Sequence, residues 1–362
     1  MNPLYSIGKK ILNNYREGGV KKVLGLPYKK IRIGFIGCGS HASENLYPSL
    51  RYVPVELVSV CSRTKEKAER NAKWFGADKA YTDYEEMVDK ETLEAVMVSI
   101  NAKMHHQIAL DMLERGLDVF VEKPPALDAK SFLEIEETCQ KSGRLFFVGF
   151  NRRYSSTITK MRTLIQEKSF GEVIHFDMKF GIGRLTKGVN LLSEVGIHYL
   201  DLSCFLFGRP SKITYQSRQI KNGEAYLLNM TFSNGVMGTM TLSSFQSWKG
   251  KTERIEITGE NRFLIMENVN TLTLYQGISN TLGLPIELLL KQKPAVVWEP
   301  NYTISSMNNN TLVLNGYIGE MRTFANLIAG KEKKGQDLRE IYTVMKVLDK
   351  MIAEREGKIE AI

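Results

Sequence analysis

From Ile31 onward, short apolar runs alternate with stretches of helical spacing. Ile31–Ile36, Val55–Cys61, Ala95–Ile100, Asp118–Glu122 and Leu145–Gly149 read as strands. Their apolar residues are near-continuous rather than alternate, as expected where both faces of a strand are covered. The clearest intervening helix covers His105–Arg115, where Ile108 pairs with Met112 and Ala109 with Leu113 at i,i+4, and Gly116 supplies a stop. This alternation predicts an α/β unit with a doubly wound parallel sheet and right-handed crossovers. Past Phe150 the rhythm changes. A helix at Ser156–Glu167 leads to a strand at Glu172–Phe180, a glycine-rich loop at Gly181–Gly188 and a helix at Leu191–Phe207. Strand-like segments follow at Ile213–Arg218, Ala225–Phe232, Val236–Phe245, Thr252–Thr258, Arg262–Met266 and Thr271–Tyr275. Turns such as Ser233-Asn234-Gly235 separate them, which predicts an antiparallel sheet in a second unit of α+β type. Residues 277–315 are polar and irregular and read as a lid-like or interface excursion. Helices at Tyr317–Ile328 and Leu338–Arg355 close the chain and can pack on either unit.

A chain of 362 residues is long for one core, which agrees with two units. Cys38, Cys61, Cys139 and Cys204 are scattered and form no C-x-x-C pair, so reduced thiols and no metal are expected. No apolar run approaches the roughly 20 residues needed to span a bilayer, and the start of the chain lacks a leader-like apolar core. A cytoplasmic protein is expected. The net charge of +9 invites a nucleic-acid reading, but its distribution argues otherwise. Residues 1–30 hold seven Lys/Arg against Glu17 alone, so +6 of the total belongs to this arm. The body is nearly balanced, and no nucleic-acid partner is expected. Within the arm Leu4, Ile7, Ile11 and Tyr15 recur at helical spacing opposite lysines. Membrane or partner contact is one reading; an arm packed on its own protein or a frayed terminus is the favoured one.

The first strand runs into Gly37-Cys38-Gly39-Ser40-His41-Ala42, a G-x-G-x-x-A turn. Two glycines permit a tight turn and close approach of a pyrophosphate, and Ala42 lets helix and strand pack closely. NAD-binding units commonly carry an acid at the tip of the second strand; here the tip reads Cys61-Ser62-Arg63-Thr64. A hydroxyl beside a guanidinium suits a 2′-phosphate, so NADP is favoured over NAD, unless Arg63 is a solvated loop residue. Asn101 and His105 follow the third strand near the expected nicotinamide riboside; His105 or His106 can instead be a helix-start residue without a ligand. The fourth strand ends abruptly in Glu122-Lys123-Pro124-Pro125. That places an ammonium group at the carboxyl edge of the sheet, where open α/β sheets bind ligands. Asn151, Arg152, Arg153 and Tyr154 sit at the junction of the units, where an arginine could hold a substrate oxygen or anion, and one of the two is read as structural. Glu194, His198 and Asp201 lie at i, i+4 and i+7, on one face of an otherwise apolar helix. Without further ligands at zinc spacing, a hydrogen-bonding and acid/base role is preferred to a metal site.

Taken together, Gly37–Ala42, Val119–Pro124, Val148–Tyr154 and Gly196–Asp201 resemble, in order, the motifs of the Gfo/Idh/MocA family of NAD(P)-dependent oxidoreductases. The resemblance covers roughly residues 30–355 and leaves the arm outside. It implies an N-terminal Rossmann domain (31–150), a substrate-binding and oligomerisation domain with an open, mostly antiparallel sheet (151–362), and a homo-oligomer, dimer or tetramer. Hydride transfer between nicotinamide and a carbinol carbon of a sugar or polyol is implied. By resemblance Lys123 is the catalytic lysine, His198 the substrate-facing histidine, and Glu122 and Asn151 shape the nicotinamide end. Glu194 stands where many sugar dehydrogenases of the family have Asp, and is taken as a catalytic and substrate-contacting candidate. A nucleotide sugar is the first substrate expectation, motivated by Arg152, Arg153, Arg184 and Lys187, with a free sugar or polyol as the alternative. A non-catalytic cofactor-sensing regulator and an NAD-dependent glycosidase are the rivals.

Overall fold

The computed structural model describes residues 30–185, 190–221, 223–246, 250–276, 280–281, 284–285, 295–299 and 311–360. The basic arm up to Lys29, and Lys187, lie outside these residues. Six strands form the first sheet: β1 (Ile31–Ile36), β2 (Val55–Cys61), β3 (Lys79–Tyr81), β4 (Ala95–Val98), β5 (Asp118–Glu122) and β6 (Phe146–Gly149). All pairings are parallel, in the order β3-β2-β1-β4-β5-β6. The reversal of order beside β1 opens a crevice at the carboxyl ends of β1 and β4, the site where such sheets bind ligands. β5 is central and buried on both faces, which explains its unbroken apolar run. Val119 and Val121 join one core cluster and Phe120 the other.

The second sheet has nine strands: β7 (Val173–Gly183), β8 (Pro210–Ile220), β9 (Gly223–Phe232), β10 (Met237–Gln246), β11 (Thr252–Gly259), β12 (Arg262–Glu267), β13 (Thr271–Gln276), β16 (Ala295–Trp298) and β17 (Glu356–Glu360). The two-residue strands β14 (Asn280–Thr281) and β15 (Leu284–Pro285) pair with each other. The large sheet is antiparallel except where β7 meets β10. Its inner face packs on the helix Ile197–Phe207; Phe207 stacks on Phe176 at 4.5 Å.

Four readings need correction. Gly181–Gly183 belong to β7 and not to a loop, because Gly181 admits Gln246 and Thr252 to its α-carbon, where a Cβ would lie 2.2 Å from Gln246. The final helix stops at Ala353, and the charged tail turns back as β17 to pair with β8. β3 was not legible, being three residues without an apolar pattern. Part of 277–315 is regular: β16 extends the sheet beyond β13, and Thr311–Leu314 form a helical turn.

The closing helices bind the units together. The helix Tyr317–Ile328 returns to the first sheet, where Phe324 meets Phe120 and Phe147 at 5.7 and 5.6 Å. Gln336 both accepts from Val148 N–H and donates to Val148 C=O, at 2.7 and 2.8 Å. One side chain thereby satisfies a stretch of the β6 edge, which would otherwise be open to strand addition. Tyr317 and Asn315, at the start of this return, are thus brought to the cleft.

Candidate active site

At the end of β1 the chain must turn within a short space. Gly37 has φ of 123°, and a Cβ there would sit 1.9 Å from the Ser99 carbonyl oxygen, so only glycine fits. Tyr47 Oη donates to the Gly37 carbonyl at 2.9 Å and fixes the turn from beneath. A cavity of about 810 Å³ opens above it, lined by Gly37, Gly39, Ser40, His41 and Ala42 and, at the far end, by Ser62 and Arg63. A Cβ on Gly39 would meet no atom within 4 Å, so backbone faces open space there, as a cradle for a pyrophosphate requires. Ser62 Oγ accepts from Thr64 N–H at 3.4 Å, and Arg63 is exposed. Lys67 and Lys103 also line the cavity and were not anticipated. Asn101 lines it as well, its Oδ1 accepting from Lys103 N–H at 3.0 Å. The residues present therefore fit a dinucleotide.

His105 does not reach this cavity. It is buried, its Nδ1–H donating to the Pro124 carbonyl at 2.8 Å and its Nε2 accepting from Ile100 N–H at 3.4 Å. Burial lowers its pKa, which agrees with a neutral ring bonded at both nitrogens. His105 ties the turn after β5 to the end of β4 and so positions Lys123. His106 is half-buried, its Nε2 3.0 Å from Glu134 Oε2.

A second, smaller cavity of about 340 Å³ adjoins the first, with His41 in both walls. Lys123, Asn151, Arg152, Glu194 and His198 line it. Lys123 Nζ donates to the Glu194 carbonyl oxygen at 2.7 Å and lies 3.4 Å from Glu194 Oε2, so the lysine of one unit is tethered to the other. Glu194 lies in a π-helical stretch, Leu192–Gly196, that runs into the helix Ile197–Phe207. Such widened turns interrupt the ordinary ladder and recur at functional sites. A second one, Ala42–Leu46, follows the glycine turn.

Behind Lys123, Glu122 is buried; its Oε1 meets His41 Nε2 at 3.1 Å and its Oε2 accepts from Lys123 N–H at 3.1 Å. Gly149 permits this, since a Cβ there would approach the carboxyl to 2.9 Å. His198 is held edge-on to Phe150, its Nδ1 buried and without a hydrogen bond among the described residues. Burial first, then Lys123 and Arg152, push its pKa well below the ordinary value, so the ring is neutral at physiological pH.

The expected face Glu194–His198–Asp201 splits. Asp201 is buried and takes both Arg153 nitrogens, Nε at 2.7 Å and Nη2 at 2.5 Å, so it is a structural partner and no substrate group. A shared face at i, i+4 and i+7 requires one uniform helix, whereas the π stretch changes the phase between Glu194 and the residues beyond, and Arg153 meets Asp201 on the inner side. Tyr154 is likewise withdrawn from the cavity: it stacks on Phe147 at 5.8 Å, with its hydroxyl 3.5 Å from Gln336. Arg152 does line the cavity but is neutralised by Glu253 at 2.6 Å and bonded to Asn315 Oδ1 at 3.1 Å. Asn151 Nδ2 donates to the Asn315 carbonyl at 2.8 Å. Tyr317, Tyr199 and Lys251 complete the wall and were missed. Tyr199 belonged to a quoted motif, but Tyr317 and Lys251 carry no local signal.

Glu320, one turn along from Tyr317, is fully buried with neither carboxyl oxygen hydrogen-bonded among the described residues. Burial, then Glu122 and Asp201, raise its pKa well above the ordinary value. The folded state thus keeps a proton that the unfolded chain releases above about pH 4, and stability falls as pH rises from there. Glu320→Gln is expected to remove that loss. Urea midpoints should coincide with wild type near about pH 4 and exceed it increasingly toward about pH 8; equal midpoints at the higher pH would refute a protonated Glu320.

A glycine-turn cavity joined to a lysine-bearing chamber is the arrangement of a Rossmann-type oxidoreductase. Comparison with known proteins narrows this class. Residues 31–150 match the oxidoreductase family model with an NAD-binding Rossmann fold, and residues 158–265 the Gfo/Idh/MocA C-terminal domain. The chain belongs to the Gfo/Idh/MocA family. Inositol 2-dehydrogenase/D-chiro-inositol 3-dehydrogenase of Lactiplantibacillus plantarum is 30% identical over 41% of this chain and 43% of its own length, so that match spans less than half of the relative. D-glucoside 3-dehydrogenase of Escherichia coli is 22% identical over 88% of this chain and 93% of its own. A solved levoglucosan dehydrogenase in complex with NADH and L-sorbose shares the fold, with a TM-score of 0.79 at 15% identity over 92% of this chain and 100% of that one. Among the described residues no helix is long and apolar enough to cross a membrane.

Proposed function

We propose that this protein is an NAD(P)-dependent dehydrogenase or reductase acting on a carbinol carbon of a sugar or polyol. The observation that carries this reading is the Lys123 ammonium group, held at 2.7 Å by the Glu194 carbonyl inside a chamber that shares His41 with the dinucleotide-sized cavity. A nicotinamide held in the adjoining cavity would supply the hydride acceptor for oxidation or the donor for reduction. In the oxidation direction, Lys123 Nζ in its amine form takes the hydroxyl proton, and the Glu194 carbonyl orients it. Neutral His198 donates its ring N–H to the substrate hydroxyl oxygen and aligns it, while Glu122 fixes His41 and the Lys123 backbone from behind. Preorganisation of these groups contributes more than any one of them.

Ser62 and Arg63, with Lys67 nearby and no acid at the tip of β2, support NADP over NAD. The nucleotide-sugar expectation loses two of its supports, since Arg152 and Arg153 have internal carboxylate partners. The chamber of about 340 Å³ favours a free sugar or polyol, in line with the substrates named for the relatives. The open face of the large sheet exposes Ile220, Leu227, Met237, Phe245 and Val297 and supports a homo-oligomer. A monomer in sedimentation analysis at micromolar concentration would remove that last reading.

The activity is tested by incubating the full-length protein with NAD or NADP and myo-inositol, methyl β-D-glucoside, levoglucosan or UDP-glucose. Sugar-dependent change in reduced-nicotinamide absorbance is expected. Its absence throughout would point to a cofactor-sensing regulator, and glucoside cleavage without net reduction to a transient oxidation cycle.

A further inference from the structure

We infer that the substrate carries an anionic group, a carboxylate or a phosphate, and that Lys251 receives it. This rests on the oxidoreductase reading above and narrows its substrate. The smaller cavity is lined by Lys123, Arg152 and Lys251 together with His41 and His198, against a single lining carboxylate, Glu194. Two of these cations have partners. Arg152 is matched by Glu253 at 2.6 Å, and Lys123 by Glu194, whose carbonyl and carboxylate lie at 2.7 and 3.4 Å. His198 is neutral. Lys251 alone among the lining cations makes no hydrogen bond or ion pair with any described residue.

The arrangement of β11 explains why it is left over. Lys251 immediately precedes the strand and lines the cavity, while Glu253, two residues later and so on the same side, is buried beneath it. Glu253 is the acid nearest to hand, yet its Oε1 is held by Arg152 in a buried contact. Desolvation by the adjoining wall, then Arg152, lower the Lys251 pKa, Glu253 opposing them and Lys123 adding to them. Lys251 is exposed to solvent, yet it lines the chamber together with two further cations. An anion there would complete the local balance. It belongs at the Lys251 end, because at the Lys123 end the Glu194 carboxylate repels it; the reacting hydroxyl is then left to Lys123 and His198.

The test measures binding separately from turnover. The full-length protein, saturated with NADP, is titrated calorimetrically with D-glucuronate, D-glucose 6-phosphate, UDP-glucose and D-glucose. At least one anionic ligand is expected to bind about 10- to 100-fold more tightly than D-glucose, the range of one charge-assisted hydrogen bond. Lys251→Met should abolish that advantage and Lys251→Arg should keep it. Preference for glucuronate would identify a sugar carboxylate, for glucose 6-phosphate a phosphomonoester, and for UDP-glucose a diphosphate. The inference is overturned if no anionic ligand outbinds D-glucose, or if the preference survives in Lys251→Met. Lys251-dependent binding without any substrate-dependent nicotinamide reduction would instead sink the oxidoreductase reading and leave the anion site standing. Turnover of neutral sugars with no charge preference would do the reverse.

Discussion

Lys123→Met is expected to lower kcat by about 10²- to 10⁴-fold, the usual contribution of a positioned acid/base group, on whichever sugar the wild type oxidises fastest. Methionine keeps the length and apolar stem of lysine, so the turn after β5 should hold: its anchors are the Pro124 carbonyl bonded by His105 and the Glu122 carboxylate bonded to the Lys123 backbone N–H. Neither involves the ammonium group. The dinucleotide cavity is lined by other residues, and cofactor affinity should change little. The outcome is a fall in kcat with the dissociation constant for NAD nearly unchanged. A folded variant with near-normal kcat would remove Lys123 from the chemistry. Loss of both kcat and NAD binding would mean that the tether to Glu194 shapes the cofactor cavity instead.

The second large effect concerns stability. Asp201→Ala should destabilise the protein by about 3–5 kcal/mol, because it leaves Arg153 buried without its bidentate partner. Glu340, whose Oε2 lies 3.8 Å from Arg153 Nη1, can take up part of the charge and should keep the loss toward the lower end. Rings of Phe150 and Phe205 flank the guanidinium at 5.7 and 5.1 Å and offer only weak compensation. Replacing both partners by apolar residues, Arg153→Met with Asp201→Leu, should recover much of the stability, since the desolvation cost of two charges disappears together. Denaturant midpoints of the single and double variants decide this. Asp201→Ala with unaltered stability and a raised KM would return Asp201 to the substrate site.

Most of the first sheet was legible because parallel central strands must be apolar on both faces, and Ile31–Ile36, Val55–Cys61 and Asp118–Glu122 are marked by composition alone. The Gly37–Ala42 turn was legible for a related reason: its function depends on backbone that only particular residue types allow, and those types are written locally. Lys123, Glu194 and His198 were found through motif position, and the structure gathers them in one chamber.

What the sequence could not supply was the partner of each charge. His105, Arg152, Arg153, Tyr154 and Asp201 are polar residues near the cleft in sequence terms, and nothing local distinguishes one that faces a cavity from one that is turned inward. Their roles are set by Pro124, Glu253, Asp201, Gln336 and Arg153, contacts that span from 19 to 182 positions along the chain. Tyr317 and Lys251 entered the site from segments with no motif at all, one carried by a returning helix and the other by the edge of β11. Local chemistry therefore determined which backbone could cradle a dinucleotide and which lysine stood at the sheet edge. Tertiary packing alone decided which of the remaining charges are neutralised in the core and which, like Lys251, line the cavity without a partner among the described residues, because a charge is governed by its nearest opposite charge in space and not by its neighbours in sequence.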